Sequence, residues 1–435
     1  MPVIYLNNFR GFDDTFLELK NVNFFVGENS TGKTSVLKLL NIVSNPQFWF
    51  NTNFNIGESS LGHYSEIASL TNKKLNFFEI GILGDHRDKQ DGISAIKLKF
   101  IEIKSIPRLS ELRMIDRGID IQVIVKEDEL EYCFETINLK KISEENKLKN
   151  FRVWIKKNNL NNQPSKIIKQ EKGHNVPILF IPSLIKSHSN KDDRKLKTSE
   201  IMAIPRFLKE LVWLAPIRTE PQRTYDNYSI DFNPAGTHSP YLLKDLLNSS
   251  KNITKYNKIF KKFGEDSGLF EGIEIIKLGK EETSPFEVHI KLHDKSLKVT
   301  NVGYGVSQIL PLIIEIIARK NNSWFAIQQP EIHLHPKGQA AFGDFIFKSH
   351  KEENKNFIVE THSDYLIDRF RLRLNKECKS SKDCKIESQV VFFERNEKGN
   401  KLTCIPINQD GTYPEEQPKE FRKFFINEML DLLKV

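Results

Sequence analysis

Cysteine is scarce: Cys133, Cys378, Cys384 and Cys404 are the only four in 435 residues. That number suggests no disulfide framework and fits a reduced compartment. Cys378 and Cys384 fall in the polar stretch KECKSSKDCK without a second His or Cys pair nearby, so a plain surface loop is expected there rather than a metal site. Long apolar runs are missing too. Ile309 to Ala318 is broken by Glu315 and is far too short to cross a bilayer, so no membrane partner is expected. The first residues, MPVIY, lack the basic head and apolar stretch of a signal peptide, which points to the cytoplasm. No heptad pattern is sustained, so a long coiled-coil arm is not expected, and no solenoid period shows. The formal charge of +8 includes no uninterrupted basic block. Such a charge suits anionic partners and allows nucleic-acid contact without requiring it.

Where the sequence is patterned, it reads first as strands and then as alternating elements. Val3–Leu6, Phe16–Leu19 and Asn23–Val26 are predicted strands, the last running into a glycine loop, and Val36, Leu39, Leu40 and Val43 have helical spacing. From about residue 75 to 180 the segments FFEIGIL, AIKLKFIEI, IDIQVIV, FRVWIKK and VPILFIP predict strands, many alternating as half-buried antiparallel strands do. Residues 186–200, KSHSNKDDRKLKTSE, read as an exposed linker. Further on, helices are expected over Pro205–Leu211 and Leu242–Phe263, and strands near Ile273 and Val288. From Val306 the order becomes helix, strand (Trp324–Ile327), helix after Pro336, strand (Phe357–Val359) and helix from Ser363. That alternation predicts a parallel sheet with crossover helices, assembled from both ends of the chain.

Gly27-Glu28-Asn29-Ser30-Thr31-Gly32-Lys33-Thr34 matches G-x-x-x-x-G-K-[ST] in full, with a strand before it and a helix after. Glycines let backbone N–H groups converge on phosphate oxygens, and the helix points its positive end at them. Lys33 supplies a point charge for the β- and γ-phosphates, and the Thr34 hydroxyl suits Mg²⁺. A second glycine-rich turn, NVGYGVSQ over residues 301–308, opens an apolar helix. QQPEIHLHP follows at 328–336 and ETHS at 360–363. A Ser at a helix start suits a γ-phosphate, and a His at a strand end can sense the loss of one.

In this order, with an Asn-Phe-Arg near the start, the five motifs resemble the ABC-type ATPases of the SMC, RecF and overcoming-lysogenization-defect group, over residues 1–40 and 200–435. Tyr64-Ser65-Glu66-Ile67 is similar to the segment these proteins carry at the Q-loop. LAPIR at 214–218 and QDGTY at 409–413 resemble stand-alone bacterial ATPases associated with phage defence, such as those of Septu, PARIS and retron systems. The resemblance implies an α/β P-loop head with an antiparallel β lobe and a middle insertion. Its expected parts are 1–105 (first half of the head), 106–200 (β-rich, polar insertion) and 201–435 (second half, with the signature and switch). It implies ATP and Mg²⁺ as ligands, two heads sandwiching two nucleotides in a homodimer or higher oligomer, and a separate effector such as a nuclease. Nucleotide contacts are expected from Asn29, Ser30, Thr31, Gly32, Lys33, Thr34 and Ser35, with Arg10 near the adenine or ribose. Gly303, Gly305 and Ser307 would cap the γ-phosphate of the partner subunit's site, and His362 would be the switch histidine. Arg218 and Arg223 read equally well as further anion contacts or as surface salt bridges.

The chain departs from that pattern at one place. Where the family carries acids, for Mg²⁺ and for the attacking water, stand Gln328 and Gln329. An amide binds Mg²⁺ poorly and cannot accept a proton. The amides leave three readings: Glu331 acts as base, the protein binds ATP with little turnover, or a Glu-to-Gln change traps ATP. The expected catalytic set is therefore Gln328, Gln329, Glu331 and His362, with Thr34 and Gln328 toward the metal. No Asp-x-Asp follows His362, which argues against a toprim nuclease, and His174-Asn175 stands without a metal-ligand pair, which argues against an HNH nuclease. The turn lacks the Leu-Ser-Gly-Gly-Gln of transporters. The expectation is an ATP-gated subunit of an antiviral complex. The alternatives are a RecF- or SMC-like DNA repair ATPase and an ATP-binding sensor without turnover.

Overall fold

The computed structural model describes residues 1–69, 76–85, 93–116, 118–137, 146–157, 164–170, 176–188, 204–226, 231–248, 253–380 and 385–421. His174, Asn175, Cys384 and most of the polar stretch 186–200 lie outside them. The chain divides into two compact units: Met1–Lys20 with Glu28–Leu211 and Phe393–Thr403, and Asn21–Gly27 with Val212–Phe392 and Cys404–Val435.

The first unit carries an eight-stranded sheet, antiparallel throughout. Its spatial order is Lys166–Lys169, Glu129–Thr136, Ile119–Val125, Ile106–Asp116, Ile93–Ile103, Phe77–Asp85, Val3–Asn7 and Thr15–Glu18. Because side chains alternate along a strand, each face has its own core. On one face Phe78 and Phe100, paired across two strands, stack at 5.1 Å, and Phe54 packs edge-on against both. On the other, Tyr5, Leu83, Ala95 and Ile115 meet Phe151, Trp154 and Ile155.

Those last three residues correct an expectation. FRVWIKK belongs to a helix, Lys147–Lys156, not a strand. Phe151, Trp154 and Ile155 are spaced i, i+3, i+4, and this stripe is buried while Val153 stays 64% exposed. VPILFIP is likewise no strand. It forms a 3₁₀ turn, Ile178–Phe180, leading into the helix Ile181–His188, and Ile178, Ile181 and Ile185 are the buried positions. The Lys147–Lys156 helix is held to the sheet by a buried ion pair. Arg113 donates from Nε and Nη2 to the two Asp120 oxygens, at 3.0 and 2.5 Å. Its Nη1 donates to the carbonyls of Trp154 and Lys157, and Trp154 Nε1 donates to Asp120 at 3.0 Å.

A six-stranded sheet, most of it in the second unit but with Leu211 and Phe393–Thr403 counted in the first, has the order Leu211–Leu214, Trp324–Gln328, Asn356–Glu360, Val22–Gly27, Ser388–Asn396 and Gly399–Ile407. The strands Trp324–Gln328, Asn356–Glu360 and Val22–Gly27 are parallel and buried along their whole length, as strands covered on both faces are. The parallel arrangement and its assembly from both ends of the chain follow the sequence pattern. Connecting helices run over Tyr304–Ala318, Pro336–Glu353 and Asp364–Ser380. A separate antiparallel sheet comprises Gly272–Lys277, Phe286–Leu292 and Lys295–Lys298.

Three local expectations change. Helix over 242–263 is described in two stretches, Ser239–Asn248 and Ile253–Ser267. Helix after Pro205 is confined to Arg206–Lys209, because Leu211 already starts a strand. Cys378 lies in a helix, not a loop, since the buried stripe Leu366, Ile367, Phe370 and Leu374 carries that helix on to Ser380. It is also disulfide-bonded, whereas no bridge was expected.

Candidate nucleotide site

Gly27 ends its strand at φ 137°, Ser30 takes φ 62° and Gly32 φ 96°, and the helix Lys33–Ser44 begins with no side chain capping its N-terminus. That leaves a positive helix end shaped for an anion. Gly32 is required twice over. Its φ is left-handed, and a Cβ there would sit 2.5 Å from the Phe12 ring. Lys33, 4% exposed, folds back so that Nζ donates to the Glu28 carbonyl at 2.6 Å. Thr31 donates to the same carbonyl at 2.8 Å, which makes it a brace of the loop, while Asn29 and Ser30 are exposed and Thr34 and Ser35 half-buried.

Arg10, half-buried with φ 48°, donates from Nη2 to the Leu61 carbonyl at 2.5 Å, and its N–H bonds Ile67 O at 2.8 Å. Its Nε has no partner, and burial lowers its pKa. Ile67 closes the short helix Tyr64–Ile67, whose capping box joins His63 and Glu66, so Arg10 is moored to the Q-loop-like segment.

In the second unit the carboxyl ends of parallel strands lie side by side, the position at which open α/β sheets bind ligands. Gln328 and Glu360 are register partners, and Gln328 Nε2 donates to Glu360 Oε2 at 2.9 Å. The amide thus supplies a donor where a second carboxylate would meet like charge. Gln329, at φ 42°, bonds Glu360 O through its N–H at 2.8 Å. Glu331 grips the turn after the neighbouring strand: His362 N–H donates to Oε1 at 2.7 Å and the Thr361 hydroxyl to Oε2 at 2.9 Å. Burial pushes the Glu331 carboxyl up, against the pull of those hydrogen bonds and of the Arg218 charge. The His362 side chain is exposed. Arg218, 2% exposed, donates from Nη2 to the Gln328 carbonyl at 3.0 Å, whereas Arg223 is exposed.

The second glycine turn caps the Tyr304–Ala318 helix. A Cβ on Gly303 would meet open space, whereas one on Gly305 would lie 2.7 Å from the His333 carbonyl, so Gly305 marks a close backbone approach. Tyr304 packs edge-on against the His333 ring at 4.8 Å. Ser307 is buried and its hydroxyl donates to the Tyr304 carbonyl at 2.8 Å.

A complete phosphate-binding loop on an α/β sheet of parallel strands defines a P-loop nucleotide-binding protein, specifically an ATPase. The family model described as "AAA ATPase domain" matches residues 1–367, and the chain belongs to that family. No curated protein matches. Solved structures similar to this chain include SMC heads. The SMC head domain from Thermotoga maritima is 11% identical with TM-score 0.40, over 93% of this chain and 98% of that one. The Pyrococcus furiosus Smc head domain with an extended coiled coil, bound to the C-terminal domain of ScpA, is 11% identical with TM-score 0.42, over the whole of both. A SmcHead bound to the C-winged helix domain of ScpA is 12% identical with TM-score 0.43, over 94% and 98%. The assignment to the family rests on the family match.

Within the second unit the structure brings Gln328, Gln329, Glu331 and the backbone of His362 together, and with them two residues the candidate set omitted, Glu360 and Thr361. ETHS held both, but only the strand register shows Glu360 facing Gln328. In the first unit the omitted residue is Asn400, whose Nδ2 donates to the Arg10 carbonyl at 2.7 Å, a contact 390 positions apart that no local signal announces. For Mg²⁺ the second unit offers oxygen donors of the right kind, the Gln328 amide oxygen and the Glu360 carboxylate. Among the described residues no group of three acids, histidines or cysteines forms a ready-made metal cage.

Proposed function

We propose that this ATPase works as a slow, ATP-gated switch: it dimerises on ATP and controls a separate effector, a nuclease being the expected kind, in antiviral defence. The Gln328–Glu360 pair is the observation that carries the slow turnover. At 2.9 Å the Gln328 amide donates to the carboxylate beside it, and neither amide, Gln328 or Gln329, is basic enough to take a proton from water. Glu331 is committed to the switch turn through both oxygens. In this reading Lys33 and the loop around it bind the phosphates, Arg10 lies toward the base or ribose, Gly303, Gly305 and Ser307 serve the partner's nucleotide, and His362 reports its state. Mg²⁺, when bound, neutralises phosphate charge. Thr34, the Gln328 amide oxygen and Glu360 are the residues of this chain that would serve it, Glu360 supplying the charge the amides lack. The defence role and the effector rest on the motif resemblance alone.

ATP turnover and ATP-dependent association, measured on wild type, Gln328→Glu and Gln328→Glu with Lys33→Ala, test the switch. The expected pattern is slow turnover with an ATP-induced dimer in wild type, at least tenfold faster turnover in Gln328→Glu, and neither turnover nor dimer once Lys33 is removed. Wild-type turnover already as fast as that of Gln328→Glu, or a dimer indifferent to ATP, would sink the reading.

A further inference from the structure

Arg218 does not behave as a packing residue. It is 2% exposed, yet among the described residues its Nε and Nη1 have no hydrogen-bond partner, and its one bond there runs from Nη2 to the Gln328 carbonyl. Burial pushes its pKa down to about 10, opposed by the charge of Glu331. A buried guanidinium with two unused donors costs folding free energy and needs a reason to be there.

Its surroundings supply one. The backbone on either side of Arg218 is fastened to a second strip of chain, Ala215 N–H to Pro234 O at 3.1 Å and Thr219 N–H to Ala235 O at 2.8 Å. That strip is anchored by His238. Its Nδ1 accepts from Asn233 N–H at 3.2 Å, so the proton sits on Nε2 and donates at 2.8 Å to Glu315, a fully buried residue of the Tyr304–Ala318 helix. Burial would push the Glu315 carboxyl up, but the His238 bond and the Arg319 charge outweigh it and hold it low. One continuous bracket therefore runs from the signature helix to Arg218, and from Arg218 to the strand end that presents Gln328 and Glu331.

We propose that Arg218 is a positioning residue: its buried bond to the Gln328 carbonyl holds the strand end from which Glu331 grips the Thr361–His362 turn, and through the bracket it ties that turn to the Tyr304–Ala318 helix. The switch turn and the signature of one head then move as a coupled pair. Nucleotide bound at one is felt at the other, and this functional sense of the coupling rests on the ATP-gated reading above. The mechanical part does not, because it is argued from hydrogen bonds within the chain itself.

Amide hydrogen exchange of the full-length, nucleotide-free protein tests it, read on peptides covering the switch turn and, as controls, the strands Val22–Gly27 and Ser388–Asn396. Arg218→Met is expected to speed exchange at the His362 amide about tenfold, as loss of a charge-assisted hydrogen bond implies, with the control strands unchanged. Arg218→Lys, which keeps the charge, restores most of the protection. His238→Ala speeds the same amide several-fold, and adds nothing further in the Arg218→Met background, the sign of a shared route. Unchanged His362 exchange in Arg218→Met, or an equal rise in the control strands, overturns the proposal. Should Arg218→Met fail to fold, the Arg218→Lys and His238→Ala comparison decides alone: unchanged His362 exchange in His238→Ala overturns the coupling. Lys33→Ala serves as the separate check. Loss of ATP binding there with these exchange patterns intact, or the reverse, tells a failure of the nucleotide reading from a failure of this one.

Discussion

Arg113 and Arg218 are equally hidden, at 0% and 2% exposure, and belong to different units. Arg113 spends every donor group: Asp120 takes two bonds, carbonyls of Trp154 and Lys157 take others, and the Trp154 ring lies under the guanidinium at 4.9 Å. Arg218 spends one, on a backbone carbonyl, and has no ion pair among the described residues. A buried arginine that is fully paired holds a structure together. One left part-paired at a strand end is a candidate for a place where partners change.

The sharpest way to break that contrast is stability. Arg113→Met strands Asp120 without its cation and is expected to cost about 3–5 kcal/mol in denaturant unfolding of the unit that holds it. Arg218→Met removes an ill-paired charge without leaving an acid it had bonded, and is expected to change stability by no more than about 1 kcal/mol. Equal losses would erase the distinction. The turn at Gly303–Gly305 repeats it at smaller scale. Gly305→Ala pushes a Cβ to within 2.7 Å of the His333 carbonyl and is expected to lower stability by about 1–3 kcal/mol, while Gly303→Ala, facing open space, stays near neutral by the same assay.

The smallest expected effect is one of pH. The Glu331 carboxyl lies above its ordinary value of 4.5 because burial disfavours the charge. A carboxyl raised on folding binds its proton more tightly in the folded chain. Wild type therefore loses stability as pH climbs from 4.5 through the raised value, and Glu331→Gln does not. Denaturant midpoints across that window should show the variant gaining on wild type as pH rises, even as its Thr361–His362 turn exchanges faster.

How much of this was legible beforehand depended on distance along the chain. The parallel strands and the phosphate loop were readable because a run such as Trp324–Gln328 carries its burial in its own composition, and the loop its chemistry in eight consecutive residues. FRVWIKK misled because Phe, Val, Trp and Ile are strand-prone, although the spacing of Phe151, Trp154 and Ile155 was helical all along. The amide–acid pair of Gln328 and Glu360 needed the register between two strands. The unused donors of Arg218 needed the whole fold around it, and no window of sequence contains that.

The hairpin tip at Gly399 and Asn400 has a consequence in time. A Cβ on Gly399 would lie 2.4 Å from the Gly11 carbonyl, and Asn400 reaches the Arg10 carbonyl while its amide comes within 3.1 Å of where a Cβ on Gly32 would be. The loop meant for the phosphates is thus braced by residues made some 370 positions after it. During synthesis the nucleotide-binding sequence emerges well ahead of Gly399 and Asn400, and until they follow it lacks that brace. Fragments ending before residue 399 should therefore hold ATP poorly however well their remaining strands fold.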